Sequence, residues 1–571
     1  MKISNWPCLL MPTFWWNLSS PAGYPPQTVT CPSGPLTRSA STGLNPNESS
    51  YMESRYAVAK ENLRTYLNSA KLEDFNVDGF LMDANPTIGL AFSGGGYRAQ
   101  LVGAGEYAAL DSRTCVTNGV GLGGILQSSN YIAGLSGGAW LVGSLVSNNL
   151  FTIDNMLSQD ILWNTSNSVL DFYDNLLETL EMWVLIALQV ESKEDEGFSV
   201  SITDFWGRAL SYQQLAFFPH EGAGFSFPKV MEVPVYRDFY APFPILVADG
   251  REPNTTIVNL NSTVFELTPF ELGSGDPSLE SFVQVQYLGS ELDGGFPSGR
   301  CVNGFDNAGF FIGTSSSLFN EILITINQEY IPVFLQDIIE EVLINPFEKL
   351  NVDVAHYSPN PFYVSGQNGN MSSPIEASET LFLVDGGEDG QNVPLVPLLR
   401  RNLSAVFAFD NSADENNWPD GTALISTYER QFTPQGGDIA FPYVPGQSTF
   451  INLGLTSKPT FFGCDASNLT SLTADIYNVP VVIYIANRAF SFSSNTSTFQ
   501  LEYSIPERNA MITNGFEVAS RMNGTLDEEW AACVGCAIIR REQERMNMVQ
   551  TEQCKKCFQE YCWNGTVYET S

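Results

Sequence analysis

Apolar side chains recur at three- and four-residue spacing through residues 48–70, where Tyr51, Tyr56, Val58, Leu63, Tyr66 and Leu67 mark one face of a helix. The pattern then changes. Thr87-Ile-Gly-Leu-Ala-Phe92 is a short continuous apolar run that predicts a buried strand leading into Ser93-Gly-Gly-Gly96. Tyr131-Ile-Ala-Gly134 predicts a second strand, and Ala139-Trp-Leu-Val-Gly-Ser-Leu-Val146 a buried helix. Helical spacing returns over residues 155–191 and again over 329–344. Three late runs, Leu381-Phe-Leu-Val384, Ala405-Val-Phe-Ala-Phe409 and Val481-Val-Ile-Tyr-Ile485, are apolar without alternation. That is the pattern of parallel strands covered on both faces. Residues 17–50, rich in Pro, Ser, Thr and Asn, read as an extended arm. No repeat or long low-complexity linker divides the chain. The expectation is one large α/β domain with a mainly parallel central sheet flanked by helices.

Composition narrows the setting. Of 571 residues, 43% are hydrophobic and 12% aromatic, enough for a folded core. Sixty-three acidic residues against 27 Lys plus Arg give a formal charge of −36. Such a surface repels phosphate backbones and excludes general nucleic-acid binding and a polybasic membrane anchor. No stretch of 18 uninterrupted apolar residues occurs, so no transmembrane helix is expected. Residues 1–23 read as a weak signal or poorly ordered segment, with the apolar stretch Cys8–Trp16 broken by Pro12. The C-terminal end lacks the hydrophobic tail of a lipid-anchor signal.

N-x-Ser/Thr sequons occur at Asn17, Asn47, Asn164, Asn254, Asn261, Asn370, Asn402, Asn468, Asn495, Asn523 and Asn564, and all but Asn17 are glycosylation candidates. Five of the ten cysteines, Cys533, Cys536, Cys554, Cys557 and Cys562, crowd into the tail at 530–565. Their two C-x-x-C pairs match zinc-ribbon spacing, but sequons and helix-like surroundings favour disulfides in the secretory pathway. Five is odd, so at least one tail cysteine must bond outside the tail or stay free. Removal of Cys8 with a signal would leave nine cysteines, hence one unpaired thiol. The expected location is outside the cell, in the medium or the wall.

Gly134-Leu-Ser136-Gly-Gly138 is a G-x-S-x-G sequence between a predicted strand and a predicted helix. Small residues allow a sharp turn that presents the Ser hydroxyl, with the following N–H at a helix start facing a developing oxyanion. The plain alternative is a glycine-rich turn. Ser93-Gly-Gly-Gly-Tyr-Arg98 also follows a strand and exposes N–H groups beside a cation, as an anion or oxyanion loop would. It lacks the Lys-Ser/Thr ending of a phosphate-binding loop, and tight packing is the alternative. Only two histidines exist, His220 and His356, and none follows position 356. A base later in the chain must therefore be something else. Asp385, in Leu381-Phe-Leu-Val-Asp385-Gly-Gly387, offers a carboxylate at a strand end, although Asp-Gly also commonly caps a turn.

Taken in order, Ser93–Arg98, Gly134–Gly138 and Asp385–Gly387 resemble the motifs of fungal phospholipase B/lysophospholipases, whose catalytic domain is shared with cytosolic group IV phospholipases. Thr203-Asp-Phe-Trp-Gly-Arg-Ala-Leu-Ser-Tyr212, Gly313-Thr-Ser-Ser-Ser-Leu-Phe-Asn320 and Val384-Asp-Gly-Gly-Glu-Asp-Gly-Gln-Asn-Val-Pro394 extend the resemblance over about residues 24–565. It implies a Ser136–Asp385 dyad that cleaves acyl esters of lysophospholipids and phospholipids through an acyl-enzyme. It also implies oxyanion donors at Gly95, Gly96 and Gly137, and Arg98 as the phosphate-steadying cation. Substrate aggregates or membrane surfaces would be the partners. Only 92 residues precede Ser93 and they read as family sequence, so neither a calcium-binding membrane domain nor a calcium or other cofactor requirement is expected. A carboxylate base would stay ionised in acid surroundings where a histidine would not, and a dry site should raise its pKa.

The 249 residues between Ser136 and Asp385 suggest cap or lid insertions within about 150–380. Phe217–Phe227, rich in aromatics, and the helix 329–344 are candidate lipid-contacting elements, with core packing the alternative for the aromatic loop. Ser315, Ser316 and Ser317 read as structural or substrate-lining. Two other classes stand beside this reading. A secreted glycosidase with paired carboxylates would survive loss of Ser136. A non-enzymatic wall glycoprotein would not react with a serine-directed phosphonate.

Overall fold

The computed structural model describes residues 23–114, 121–158, 162–173, 175–253, 255–319, 354–365, 373–437 and 439–568. The segment 1–22, the helix expected at 329–344 and the sequons Asn17, Asn254 and Asn370 lie outside these residues, as do Cys8 and Cys115.

A twelve-stranded sheet runs through the described residues. Its centre is parallel: Val481–Ala486, Ala405–Asp410, Ile88–Phe92, Tyr131–Gly134 and Phe243–Arg251 lie side by side in that order. These strands are buried throughout their length, which explains their unbroken apolar sequences. Antiparallel strands extend both edges. Thr460–Phe462 closes one side, while Val264–Leu267, Glu271–Ser274, Ser281–Gln284 and Thr37–Ser39 continue the other. Residues 243–284, within the interval expected to hold cap insertions, therefore build four of the twelve strands. The arm at 17–50 contributes an edge strand there, and its Gln27–Val29 pairs with Cys301–Asn303 beside the Cys31–Cys301 disulfide.

Leu381–Asp385 departs from expectation. It pairs antiparallel with both neighbours, Ala355–Tyr357 and the far half of Phe243–Arg251. Burial on both faces gives the same apolar run whatever the strand direction. The direction matters for the site. Gly134 stands opposite Leu246, and Asp385 stands opposite Ala248 on the same strand. An antiparallel strand thus ends level with the turn after Gly134.

Helices cover the sheet. Gly96–Leu110 packs against Gly137–Ser147 and against Ile505–Ser520. The last contact is backbone to backbone: a Cβ on Gly105 would lie 1.9 Å from the Ile512 carbonyl oxygen, and one on Gly515 2.0 Å from that of Val102. In the tail, Cys533–Cys557 and Cys536–Cys554 staple Trp530–Arg545 to Glu552–Tyr561. The fifth tail cysteine, Cys562, bonds outside the tail to Cys464. All five are thus in disulfides, which removes them as zinc thiolates. The aromatic loop is core: Phe218, Phe225 and Phe227 are buried and only Phe217 reaches the surface.

Candidate active site

Ser136 sits where Tyr131–Gly134 turns into the helix Gly137–Ser147, with φ of +50°. That left-handed backbone is strained for a residue with a Cβ. The turn is so tight that a Cβ on Gly134 would lie 2.4 Å from the Gly138 carbonyl oxygen, and one on Gly138 2.1 Å from that of Phe92. Both flanking glycines are thus required by close approach. The strain is held by an external clamp, because the Ser136 N–H donates to the Ser315 carbonyl (2.9 Å) and hydroxyl (3.2 Å).

Two helix starts converge here. Gly96 and Gly137 are the first residues of their helices, and a Cβ on Gly137 would lie 2.2 Å from the Gly96 carbonyl oxygen. First-turn N–H groups have no intrahelical acceptor and carry the positive end of the helix dipole. Neither N-cap, Gly95 nor Ser136, supplies a side-chain acceptor. Gly95 has φ of +134° and Gly96 +60°, conformations that turn the loop inward and that glycine alone adopts cheaply. Gly96 and Gly137, with Gly95 just before, therefore bring two helix starts together next to Ser136.

Asp385 is buried, and loss of water pushes its carboxyl up to about 7. The Gly387 N–H, together with the nearby Ser136 hydroxyl and Leu318 N–H, pulls the other way. The Gly387 bond to Oδ1 is 3.0 Å. The Ser136 hydroxyl is near enough to influence the carboxyl without the geometry of a formed bond, and Oδ2 has no partner among the described residues. Long contacts of this kind commonly tighten when substrate binds. Asp385 is thus oriented by one oxygen, with the other left for a proton.

The serine run at 315–317 ties the two halves together. Ser315 accepts from the Ser136 N–H, as above, and its hydroxyl donates to the Val247 carbonyl at 2.5 Å. Ser317 Oγ accepts the Asp385 N–H at 2.9 Å, and Ser316 Oγ accepts from Trp206 Nε1 at 3.0 Å. A structural role for these serines fits. The histidines stand elsewhere: His356 Nδ1 bonds the Ser199 hydroxyl at 2.9 Å, and exposed His220 offers its carbonyl to Arg208.

The profile of the family described as lysophospholipase catalytic domain matches residues 88–568. The chain belongs to that family. Lysophospholipase 2 of Candida albicans is 61% identical over 96% of this chain and 89% of its own length. Lysophospholipase 1 of Saccharomyces cerevisiae is 46% identical, covering 95% and 84%. Human GIVD cytosolic phospholipase A2 superposes with a TM-score of 0.61 at 16% identity, over 88% of this chain and 67% of that one, and so shares the fold. The lysophospholipase-family assignment read from the three loops therefore holds, and with it a hydrolase. The glycosidase and non-enzymatic readings fall away.

Within this lysophospholipase fold Arg98 is fully buried rather than displayed. Its Nε donates to the Asn411 carbonyl (2.9 Å), and Nη1 to the Thr496 carbonyl (2.7 Å) and Thr498 hydroxyl (3.1 Å). Nη2 has no partner among the described residues and presses on Gly95, where a Cβ would lie 2.2 Å away. Arg98 thus braces the Gly94–Gly96 loop and keeps one nitrogen facing it. Burial lowers its pKa to about 10.

Sequence reasoning missed Asn392. Its carbonyl accepts the Gly94 N–H at 3.0 Å, and its Nδ2 donates to the Gly94 carbonyl at 3.3 Å and to Ser412 Oγ at 2.7 Å. Its Oδ1 lies 2.6 Å from where a Cβ on Gly387 would be. Asn392 therefore wedges the oxyanion loop against the Asp385 loop. The only sequence signal was its place in the quoted 384–394 motif.

Proposed function

We propose that this chain is a secreted, calcium-independent lysophospholipase/phospholipase B using a Ser136–Asp385 dyad. The observation that carries the reading is the strained Ser136, set at two converging helix starts with a desolvated carboxylate beside it. The ionised Asp385 takes the Ser136 proton as Oγ attacks the acyl carbonyl carbon. The carbonyl oxygen becomes negative and faces the N–H groups of Gly95, Gly96 and Gly137. Collapse breaks the ester C–O bond, and the departing glycerol oxygen receives the proton from Asp385. Water, deprotonated by Asp385, then attacks the acyl-enzyme, releasing fatty acid and restoring Ser136.

Arg98 Nη2 is the group assigned to the substrate phosphate. Nucleophile, base and oxyanion donors all come from the chain, which supports turnover in the presence of a calcium chelator. The four disulfides among the described residues, and the sequons, support passage through an oxidising compartment. The test is labelling of wild type and Ser136→Ala by a fluorophosphonate, followed by lysophosphatidylcholine turnover with and without chelator. Wild type should be labelled and active in both conditions. A folded Ser136→Ala protein should be neither labelled nor active, and substantial hydrolysis by it would refute the assignment.

A further inference from the structure

The helix Leu176–Asp195 carries an apolar face on each side. Inward, Thr179, Trp183, Ile186, Val190 and Lys193 are buried. Outward, Leu177, Val184, Leu185 and Leu188 are 68%, 41%, 49% and 56% exposed. Their spacing of seven, one and three residues places them on one stripe of a helix. Single exposed apolar residues elsewhere on the surface are ordinary, whereas four aligned on one helix mark an interaction surface.

The helix is anchored from beneath. Trp183 Nε1 donates to the Leu170 carbonyl at 3.0 Å, Gln189 Oε1 accepts from Arg208 Nε at 2.8 Å, and Lys193 pairs with Asp204 at 2.5 Å. The stripe is therefore a fixed surface. Arg208 and Asp204 belong to the next helix, Ile202–Gln214. That helix also carries Trp206, which stacks on Phe319, whose ring in turn lies 2.9 Å from where a Cβ on Gly96 would be. One helix thus separates the outer stripe from the aromatic wall beside the oxyanion loop.

Charge selects the occupant. Every exposed charge described on this helix is acidic: Glu178, Glu181, Glu191, Glu194 and Asp195. A second copy would bring the same acidic rim against its own, in a chain of formal charge −36. An anionic bilayer would be repelled likewise. A phosphatidylcholine surface carries its ammonium groups outermost, facing such acids, over a hydrocarbon layer that accepts leucine. We propose that the Leu177–Leu188 stripe docks the enzyme on zwitterionic, choline-bearing lipid aggregates. This rests on the lysophospholipase reading above and names the form in which substrate is met.

The test compares wild type with the double variant Leu185→Gln/Leu188→Gln. Binding is read by co-flotation with phosphatidylcholine vesicles. Turnover is read on micellar lysophosphatidylcholine and on a short-chain ester kept below its micelle concentration. The variant should bind vesicles at least tenfold more weakly and need correspondingly more micellar substrate, with short-chain turnover within twofold of wild type. Wild type should bind less well when anionic lipid is added. Unchanged flotation of the variant, or stronger binding to anionic vesicles, would overturn the proposal. So would a wild-type dimer in size-exclusion chromatography that the variant converts to monomer, since the stripe would then be a self-interface. Vesicle binding without hydrolysis of either substrate would instead strike the functional reading and leave docking standing.

Discussion

Replacing Asp385 by Asn should abolish catalysis and stabilise the protein, the second effect only above a definable pH. Burial raises this carboxyl from 3.8 to about 7 in the folded chain. Between about pH 4 and pH 7 the folded chain keeps a proton that the unfolded chain has released. Stability therefore falls as pH rises through that window, and the whole cost is in force above pH 7. At 1.36 kcal/mol per pKa unit the difference reaches about 4 kcal/mol, an upper bound that local relaxation would reduce to roughly 2. Asn has the shape of the protonated acid and carries no charge to desolvate.

For a chain this size, with an unfolding entropy of about 2 cal/mol/K per residue, the gain corresponds to about 2–3 °C in Tm. Melting of wild type and Asp385→Asn at pH 4 and pH 8 measures it. The two should coincide at pH 4 and separate at pH 8, the variant being higher. An equal offset at both pH values, or a less stable variant at pH 8, would show that Asp385 is not a desolvated carboxylate. The same protonation should appear in wild-type kcat/KM as an acid limb centred near pH 7. This reverses the simple expectation that an aspartate base suits acid surroundings. The dryness that would make Asp385 basic enough to deprotonate a serine also keeps it protonated in acid.

His220→Ala and His356→Ala should each keep activity within about tenfold, a barrier change of about 1.4 kcal/mol, whereas losing a general base costs 10²–10⁴; a thousandfold loss in either folded variant would restore a histidine triad. Arg98→Ala should slow phospholipid turnover more than that of an uncharged short-chain ester, because Nη2 alone is uncommitted to Asn411, Thr496 and Thr498; equal losses would assign Arg98 to bracing only. Asn392→Ala should lower kcat about tenfold with KM little changed and should weaken labelling by a fluorophosphonate, which needs the oxyanion loop. A fall in Tm with kcat intact would make Asn392 merely structural. Ser317→Ala leaves the buried Asp385 N–H without its acceptor, a cost of about 1–3 kcal/mol. It should also move the acid limb of kcat/KM, which an unrelated packing defect would leave in place.

Much of the parallel centre was legible because burial on both faces writes itself as unbroken apolar runs. Ile88–Phe92, Tyr131–Gly134, Ala405–Asp410 and Val481–Ala486 all emerged within a residue of their observed ends. The same rule misled at Leu381–Asp385, since burial says nothing about direction. The antiparallel strands from Val264 to Gln284 were not foreseen at all. They are four residues long and also largely buried, so they show little of the alternation that reveals an edge strand. Phe217–Phe227 illustrates a further limit, because aromatic composition is the same for a core turn and a lipid-facing loop. Parity was a sound guide: five tail cysteines required that at least one bond outside the tail or stay free, and Cys562 bonds outside it to Cys464.

The residues proposed to react were easier to read than the residues that place them, and the reason is geometric. A serine elbow needs small neighbours in sequence, so Gly134 and Gly138 announce it locally. The clamp that holds Ser136 at φ +50° comes from Ser315, 179 residues away, and the one on Asp385 from Ser317, 68 residues back. Left-handed strain at Ser136 costs of order 1–3 kcal/mol and persists only if surrounding bonds over-determine it. One turn, 315–317, supplies acceptors to the backbone of both Ser136 and Asp385. Asn392 similarly fixes the base loop against the oxyanion loop. The relative placement of Ser136, Asp385 and the Gly94–Gly96 loop is thus set by residues that bond or pack against one or two of them each. Such residues carry no chemistry of their own, so their side-chain types, Ser and Asn, look like ordinary turn residues until the chain has closed around them.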